Sequence, residues 1–247
     1  MPPKEKRRLD TVIQEKYPHL TRNQIQSFIL QGKVKIDGKP LPKAGTPVTN
    51  DVIITLDIEI PKYVSRAGFK LEAALKQFPI DTTGLVVMDA GISTGGFTDC
   101  LLQHGAKRVY GVDVGHGQVH ERVANDPRVT LLEKTNLRHL QRLPELVDLV
   151  TLDLSFISLL KVIPAVKMIL KPSGSIITLI KPQFEADRAD VGKGGIITSE
   201  AVHTKVIDRV TKGMDELGFT LAKLIDSPIT GTMGNKEFLG FFTQKEI

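Results

Sequence analysis

Apolar and polar positions follow two different patterns along the chain. After about residue 60, short β-branched apolar runs alternate with segments whose apolar residues recur at helical spacing. The runs predict strands at residues 85–89, 108–113, 129–133, 147–153, 175–181, 219–225 and 237–243. The helical segments cover residues 65–78, 96–104, 117–125, 157–170 and 199–217. This alternation predicts an α/β fold with a doubly wound, mostly parallel sheet, closed by an antiparallel hairpin of the last two strands.

Residues 1–60 predict a separate, small α+β domain, joined to the second domain, residues 61–247, by a short linker at about 57–62. One helix is expected over Glu5 to Glu15. A second begins at Thr21, because Thr21 and Gln24 form a capping-box pattern. A strand, a tight turn and a closing strand follow at Lys33–Ile36, Asp37-Gly38 and Val52–Leu56.

Composition narrows the class of protein. The chain has 247 residues, 41% of them hydrophobic, and no apolar run of 18 or more residues, so we expect a packed core and no transmembrane helix. The charged segment at residues 4–8 is not followed by the apolar stretch of a secretory signal. Cys100 is the only cysteine, which rules out an internal disulfide and favours a small apolar role on a helix. We therefore expect a cytoplasmic protein.

Positive charge is concentrated at the start of the chain. Residues 1–62 carry 11 Lys and Arg against 7 Asp and Glu, whereas the other 185 residues carry 22 against 21. Such asymmetry indicates an anionic partner for the first domain. The lysines at polar positions of the predicted hairpin would suit RNA phosphates. An ordinary solvated surface would also give some charge asymmetry.

A glycine loop is the most informative feature of the second domain. The strand that ends at Asp89 runs into Gly91, Gly95 and Gly96, where a Cβ would block a ligand or a tight turn. The next strand ends in Asp113, 18 residues after Gly95. An acidic residue about 20 positions beyond such a loop is placed to bind the ribose hydroxyls of an adenosine cofactor.

Three enzyme classes share parts of this pattern. Ser93 occupies the position of the second glycine of the dinucleotide motif, which favours a methyltransferase over a nicotinamide enzyme because S-adenosylmethionine has no pyrophosphate. The same residues spell the G-x-S-x-G nucleophile elbow of α/β-hydrolases. A hydrolase needs a late loop histidine, but His203 falls within the predicted helix 199–217, so the hydrolase interpretation is the weaker one.

Four polar residues stand at the ends of predicted elements: Lys70, Asp153, Lys181 and Glu237. Ligand clefts of open α/β sheets lie outside the carboxyl ends of the strands, where Asp153 and Lys181 fall. Taken singly, each of the four favours an ordinary surface or structural role over catalysis.

Residues of the first domain resemble the alpha-L RNA-binding motif. The resemblance rests on three segments: Arg8-Leu9-Asp10, Thr21-Arg22-Asn23-Gln24-Ile25 and Gly32 to Pro40. It implies an RNA partner without specifying a reaction. We expect RNA contacts from six basic side chains: Arg7, Arg8, Arg22, Lys33, Lys35 and Lys39.

The second domain resembles the FtsJ-type RNA ribose methyltransferases. Its loop from Asp89 to Thr98 matches the family pattern D-x-G-x-x-x-G-G-[FW]-[ST], and the family's Lys-Asp-Lys-Glu tetrad falls on the four residues named above. With the alpha-L motif in front, nearly the whole chain is similar to the TlyA family of ribosomal RNA 2′-O-methyltransferases, often labelled haemolysins. The resemblance implies a Rossmann-like class I methyltransferase fold behind a small α+β RNA-binding domain.

It also implies the chemistry. S-adenosylmethionine would be the methyl donor, ribosomal RNA or a ribosomal subunit the substrate, and no metal would be needed. Lys181 would act as base or oxyanion stabiliser, with Asp153 and Glu237 orienting Lys181 and Lys70. The expected cofactor-binding residues are Asp89, Gly91, Ser93, Gly95, Gly96, Phe97, Asp113 and Asn136. Asn136 would contact the adenine region or shape a turn, and the loop at 183–197 would either close over RNA or remain a surface loop.

Two other function classes stay open at this point. A membrane-lysing toxin is suggested only by the family's traditional label, since no strongly amphipathic cationic helix supports it. A non-catalytic RNA-binding protein that retains the methyltransferase fold is disfavoured by the complete tetrad.

Overall fold

The computed structural model describes residues 6–18, 20–40, 43–57, 61–231 and 233–245. The chain divides into two compact units, Met1–Lys62 and Tyr63–Ile247, here called the N-terminal and C-terminal units. Among the described residues, no helix combines the length and the apolar character needed to cross a membrane.

The described part of the N-terminal unit contains two helices and five short strands. The elements are β1 (Lys6–Arg8), α1 (Leu9–Lys16), α2 (Arg22–Leu30), β2 (Val34–Ile36), β3 (Lys39–Pro40), β4 (Pro47–Thr49) and β5 (Ile54–Leu56). Strands β3, β2 and β5 form an antiparallel sheet, and β1 pairs with β4. Apolar side chains from both helices and from the sheet, including Leu9, Ile13, Ile25 and Val34, form its buried core.

The sequence predicted the second helix correctly and the start of the first one wrongly. The Thr21 hydroxyl accepts the Gln24 N–H at 3.2 Å, and the Gln24 side-chain oxygen accepts the Thr21 N–H at 2.8 Å, which confirms the capping box. The first helix begins at Leu9, because Lys6–Arg8 is extended and pairs with Pro47–Thr49. Glu5 lies outside the described residues. The long-range pairing overrides the local helical preference of this segment.

Asp10 is a buried carboxylate that joins both helices of this unit. Arg8 donates two hydrogen bonds to it, at 3.0 and 2.8 Å, and Arg22 and Gln26 each approach Oδ2 at 3.4 Å. The hydrogen bonds from Arg8, helped by Gln26 and by the charges of Arg8 and Arg22, lower the pKa of Asp10 to about 2 against the opposing effect of burial. The ionised carboxylate is therefore the form that the folded unit stabilises.

The C-terminal unit is built on a seven-stranded sheet within the described residues. Its strands are β6 (Val86–Ala90), β7 (Arg108–Val112), β8 (Val129–Leu132), β9 (Val147–Leu152), β10 (Leu170–Ile180), β11 (Phe219–Asp226) and β12 (Phe238–Gln244), in the order β11-β12-β10-β9-β6-β7-β8. Strands β6 to β10 run parallel, and β12 is antiparallel to both β10 and β11. The predicted α/β class, the parallel sheet and the terminal hairpin are thus confirmed.

Helices cover both faces of this sheet. They are α3 (Ala67–Gln77), α4 (Gly96–Gln103), α5 (Glu121–Ala124), α6 (Ile163–Ile169), α7 (Pro182–Glu185) and α8 (Glu200–Glu216). Successive side chains of a strand point to opposite faces of the sheet, so the core has two layers. Val87 packs with α3 and α4 on one face, whereas Met88 packs with α6 and α8 on the other. Cys100 is buried in the α3–α4 layer, in the small apolar role expected of it.

Several boundaries differ from the prediction. The helix expected at 117–125 shrinks to Glu121–Ala124, and the one expected at 157–170 splits into a 3-10 turn, Leu159–Lys161, and α6. Pro164 lies in the first turn of α6, where its missing N–H is tolerated. β10 starts at Leu170 instead of 175, with an irregularity in its pairing to β9 between Leu170 and Ser175.

The buried carboxylate of the N-terminal unit gives a stability prediction. Asp10→Asn should lower the free energy of unfolding of this unit by about 1–2 kcal/mol at pH 7, because the charge-assisted bonds of Arg8 and Arg22 are lost. The pKa of Asp10 is about 2 in the folded unit and 3.8 ordinarily, so the ionised carboxylate stabilises the fold in full above pH 3.8. This stabilisation is lost as the pH falls through 2.

Hydrogen exchange of amides in residues 9–30 measures the free energy of unfolding. Asp57→Asn is the control, because it removes only an exposed 3.5 Å ion pair with Lys35 and should leave the exchange rates nearly unchanged. Equal effects of the two variants on exchange would contradict the stabilising role of Asp10.

Candidate active site

The glycine loop after β6 is shaped by close approaches of neighbouring backbone. Gly91 has a φ of +82° and donates its N–H to the Val112 carbonyl at 2.8 Å. A Cβ on Gly91 would collide with the carbonyl oxygen of Asp153. Gly95, with a φ of +96°, caps the start of α4, and Ser93 adopts a φ of +48°. Only glycine accepts the first two environments without strain, which explains the pattern in the sequence.

Asp89 supports this loop from beneath. It is fully buried, and its two oxygens accept hydroxyl hydrogens from Thr98 at 2.6 Å and from Thr151 at 2.8 Å. Burial raises the pKa of Asp89 to about 6, with the two threonine hydrogen bonds opposing this and the nearby Asp153 charge adding to it. Its carboxylate therefore braces β6 against α4 and β9.

Asp113 lies where β7 ends and connects two loops. One carboxylate oxygen accepts the Ser93 N–H at 2.9 Å, and the other accepts the Gly115 N–H at 2.8 Å. Each oxygen keeps a second lone pair for another donor. The residue is half-buried and lines a cavity of about 460 Å³ outside the carboxyl ends of β6, β7 and β9.

The predicted cofactor residues divide between this cavity and the core. Those that line the cavity are Gly91, Ser93, Asp113 and Asn136. The remaining four are buried around the loop: Asp89, Gly95, Gly96 and Phe97. The Asn136 side chain accepts the Arg138 N–H at 3.1 Å, so it shapes a turn and also faces the cavity.

The four tetrad residues form two ion pairs. Lys181 lies 2.7 Å from Asp153 and donates to the Ser155 hydroxyl at 3.0 Å. Lys70 lies 2.5 Å from Glu237. Side-chain exposure is 11% for each lysine, 17% for Asp153 and 3% for Glu237. Charges this well covered need partners, and the pairing keeps a balanced cluster in a partly dry cleft.

A second cavity, of about 280 Å³, lies next to the first. It is lined by Lys181 and Glu237 together with residues of the loop after β9, of α7, of a 3-10 turn and of the segment before β12: Ser155, Phe156, Gln183, Phe184, Gly194, Gly195, Met233 and Asn235. Ser155 and Phe156 line both cavities. The two spaces therefore share one wall, at the loop that follows β9.

Sequence reasoning did not single out Ser155 and Phe156 as site residues. Ser155 is the second partner of Lys181, and Phe156 is 91% exposed at a φ of +64°, with its ring centroid 5.1 Å from that of Phe184. Bulky residues held in the left-handed backbone region cluster at active sites and ligand-binding segments, which makes Phe156 a candidate site residue. The available signal was an aromatic three positions after the strand-end carboxylate Asp153.

The segment 183–197 is more structured than a plain loop. It contains most of α7 and two 3-10 turns, Arg188–Asp190 and Lys193–Gly195. Asn235 holds it by donating to the Gly195 carbonyl at 2.8 Å and accepting the Ile197 N–H at 2.9 Å. His203 is buried in α8 and lies 3.2 Å from the Ile197 carbonyl. That structural role leaves the G-x-S-x-G sequence without its histidine and argues against the hydrolase interpretation.

Basic side chains of the N-terminal unit fall into two sets. Arg8 and Arg22 are both held at Asp10, and more than half of each side chain is exposed. Lys33, Lys35 and Lys39 lie on or next to strands β2 and β3, with Lys35 3.5 Å from Asp57. Arg7 is paired with Glu15.

Comparisons with known proteins cover nearly the whole chain. Residues 63–243 match the model of the FtsJ-like methyltransferase family, and residues 7–54 match the S4 domain. The 16S/23S rRNA (cytidine-2′-O)-methyltransferase TlyA of Mycobacterium tuberculosis is 40% identical over 92% of this chain and 86% of its own length. Hemolysin A of Brachyspira hyodysenteriae is 38% identical over 95% of this chain and 99% of its own length.

A solved structure shares the architecture. A candidate hemolysin from Streptococcus thermophilus superposes with a TM-score of 0.74 at 36% identity, over 99% of this chain and 90% of that one. The chain belongs to the TlyA family, in which an FtsJ-like methyltransferase domain follows an S4 domain.

Proposed function

We propose that this protein transfers a methyl group from S-adenosylmethionine to a ribose 2′ oxygen of ribosomal RNA. The observation that carries the proposal is the pair of adjoining cavities, one lined by Asp113 and the other by Lys181 and Glu237, with Ser155 and Phe156 between them. A relative named as a 16S/23S rRNA (cytidine-2′-O)-methyltransferase supports the same reaction and suggests a cytidine as the target.

The larger cavity suits S-adenosylmethionine. Asp113 offers unused lone pairs to ribose hydroxyls, Gly91 and Ser93 of the glycine loop line the wall beside it, and Asn136 lies further along the wall. When bound, the cofactor supplies an electrophilic methyl group that needs little further activation. The buried Asp89 serves this site through the loop rather than by direct contact.

Lys181 is the group that acts on the ribose hydroxyl in the smaller cavity. A ribose hydroxyl becomes a useful nucleophile only as its proton is withdrawn, so Lys181 either accepts that proton or stabilises the developing oxyanion. Asp153 and Ser155 fix its Nζ from two sides. Lys70 holds Glu237 in the wall, and low exposure strengthens every charge in the cluster.

RNA recognition is shared between two kinds of surface. The exposed cations of the N-terminal unit would bind phosphates, and the exposed ring of Phe156 offers a face on which a base can stack. We assign residues 1–60 to RNA binding and residues 61–247 to methyl transfer, in the cytoplasm where ribosomal subunits reside.

Neither alternative function gains support from the site. The paired tetrad beside a cofactor-sized cavity is more than a non-catalytic RNA-binding protein needs. Membrane lysis rests on the names of relatives such as Hemolysin A, and no described helix could span a bilayer.

Removing the Asp113 carboxylate should weaken cofactor binding. We expect Asp113→Ala to reduce the affinity for S-adenosylmethionine by about 1–3 kcal/mol, the range for losing hydrogen bonds to a charged group. Isothermal titration calorimetry measures it, with circular dichroism as the check on folding. Asp126→Ala removes a carboxylate that pairs with Arg128 outside the cavity and should bind the cofactor normally. Unchanged affinity in folded Asp113→Ala would remove this residue from the site.

Lys181 gives the sharpest test of the reaction. Lys181→Ala should slow methyl transfer about 10²–10⁴-fold, the range for losing a positioned acid–base group, while cofactor and RNA affinities change little. Lys181→Arg should also fail if lysine is the base, because a guanidinium keeps its proton. Single-turnover assays on ribosomal subunits with saturating cofactor decide between the roles. Near-normal transfer by Lys181→Arg would leave only the electrostatic role. Lys107→Ala, which changes an exposed lysine outside both cavities, should behave as wild type.

Charge removal in the N-terminal unit should change the salt dependence of RNA binding. With Lys33, Lys35 and Lys39 all changed to Gln, the slope of log affinity against log salt should become shallower by about 0.7–0.9 for each phosphate that the protein no longer neutralises. Filter-binding titrations over a salt series give this slope. A matched triple variant at the exposed Lys76, Lys107 and Lys212 of the C-terminal unit is the control. If both triple variants shift the slope equally, the RNA-binding assignment of the N-terminal lysines is wrong.

A further inference from the structure

Glu185 is a buried carboxylate that the proposed chemistry does not use. It ends α7, four residues after Lys181, and is 5% exposed. It is absent from the residues that line the two cavities. Its two oxygens accept the Ser158 hydroxyl and the Leu159 N–H, each at 2.7 Å. Burial raises the pKa of Glu185, and the two hydrogen bonds oppose that rise.

These hydrogen bonds connect the two segments that form the catalytic wall. Residues 153–158 follow β9 and carry Asp153 and Ser155, the partners of Lys181. Residues 181–185 follow β10 and carry Lys181 itself. The segments touch at three successive levels: the Lys181–Asp153 ion pair, the Phe184–Phe156 ring contact, and the bonds of Glu185. Glu185 closes this series at the end away from the ion pair.

Helix α8 anchors the Glu185 end of the series. Arg209 donates from one guanidinium nitrogen to the Glu185 carbonyl at 2.8 Å and from another to the Asp187 carboxylate at 2.7 Å. The backbone that carries the Glu185 side chain is therefore tied to a 17-residue helix packed on the sheet.

We propose that Glu185 is a positioning residue for methyl transfer, which holds residues 153–158 and 181–185 at the spacing that Lys181 requires. The proposal rests on the proposed function of Lys181. Without the carboxylate, the Ser158 hydroxyl and the Leu159 N–H lose their buried acceptor, and the loop after β9 is free to shift away from Lys181. A misplacement of about 1 Å costs on the order of 10²-fold in rate, so a small shift is enough to register.

A capping role for the 3-10 turn Leu159–Lys161 is the competing explanation. Under that explanation, loss of Glu185 lowers stability but leaves the chemistry of the folded protein unchanged. The two explanations differ in whether the effect of a Glu185 substitution on the rate of methyl transfer requires Lys181. A positioning residue acts through that lysine, so its substitution has no further effect once Lys181 is replaced.

Single-turnover methyl transfer to ribosomal subunits by the chain with both units tests this dependence. Glu185→Gln keeps the size of the side chain but replaces one acceptor oxygen with a donor. We expect it to lower the rate about 10- to 100-fold at saturating cofactor and RNA, with cofactor affinity within about twofold of wild type. In a Lys181→Met background the same change should have no further effect. Asp148→Asn changes a carboxylate that accepts the Val86 N–H and the Lys171 ammonium at the start of β9, away from both catalytic segments, and should retain normal transfer.

Hydrogen exchange of the same variants gives a readout that needs no activity. Glu185→Gln should raise deuterium uptake in peptides covering residues 153–160 and 181–187 and leave the rest of the C-terminal unit unchanged. If Glu185→Gln does not fold, Ser158→Ala removes one of the two bonds from the other side and should show the same pattern at smaller size.

The outcomes separate the two proposals. A normal rate for folded Glu185→Gln, or an equal loss in the wild-type and Lys181→Met backgrounds, overturns the positioning role. If wild-type protein transfers no methyl to ribosomal RNA, the proposed function fails, whereas unchanged exchange in the two catalytic segments contradicts the link through Glu185 independently of that result.

Discussion

Parallel pairing of β6 with β9 is the constraint on which the site depends. The register places Ala90 opposite Leu152, and the Asp153 N–H continues the ladder by donating to the Ala90 carbonyl at 3.0 Å. Gly91 and Asp153 are thereby brought side by side, so closely that a Cβ on Gly91 has no room beside the Asp153 carbonyl. Because both strands end at the same edge of the sheet, the glycine loop and the acidic partner of Lys181 share one cleft.

Charge placement in the cleft follows from what burial allows. Lys70 with Glu237 and Lys181 with Asp153 are largely covered, and each charge has an opposite partner at 2.5 or 2.7 Å. Asp89, whose hydrogen-bond donors Thr98 and Thr151 carry no charge, instead has its pKa raised to about 6 by burial. The same low exposure that strengthens the electrostatics around Lys181 makes misplacement costly, which is the reason that a link such as Glu185 matters for the geometry.

A buried carboxylate has a comparable structural task in the N-terminal unit. Asp10 directs Arg8 and Arg22 from beneath, while more than half of each arginine side chain remains exposed. Arginines that are already ordered lose less side-chain entropy when they bind a phosphate. Under the proposed function, the carboxylate that stabilises the fold thus also orients two of the expected RNA-binding residues.

The sequence by itself determined the elements whose signal is local. Apolar runs placed all seven strands of the large sheet to within five residues, and the Thr21–Gln24 capping box placed α2. The glycine spacing with Asp113 identified a loop that lines the larger cavity. The family resemblance, rather than spacing, brought Lys70, Asp153, Lys181 and Glu237 together as a set. Tertiary structure decided the features that depend on distant residues. The β1–β4 pairing makes α1 begin at Leu9, and Asp89 is buried beneath the glycine loop. The exposure of Phe156 and the hydrogen bond from Ser158 to Glu185 also depend on the folded structure. Contacts of this kind leave no periodic pattern in the sequence. Ser158 and Glu185 are 27 positions apart, and residues 6–8 pair with residues 47–49. Such residues come together only because the elements that carry them pack against each other in the folded structure.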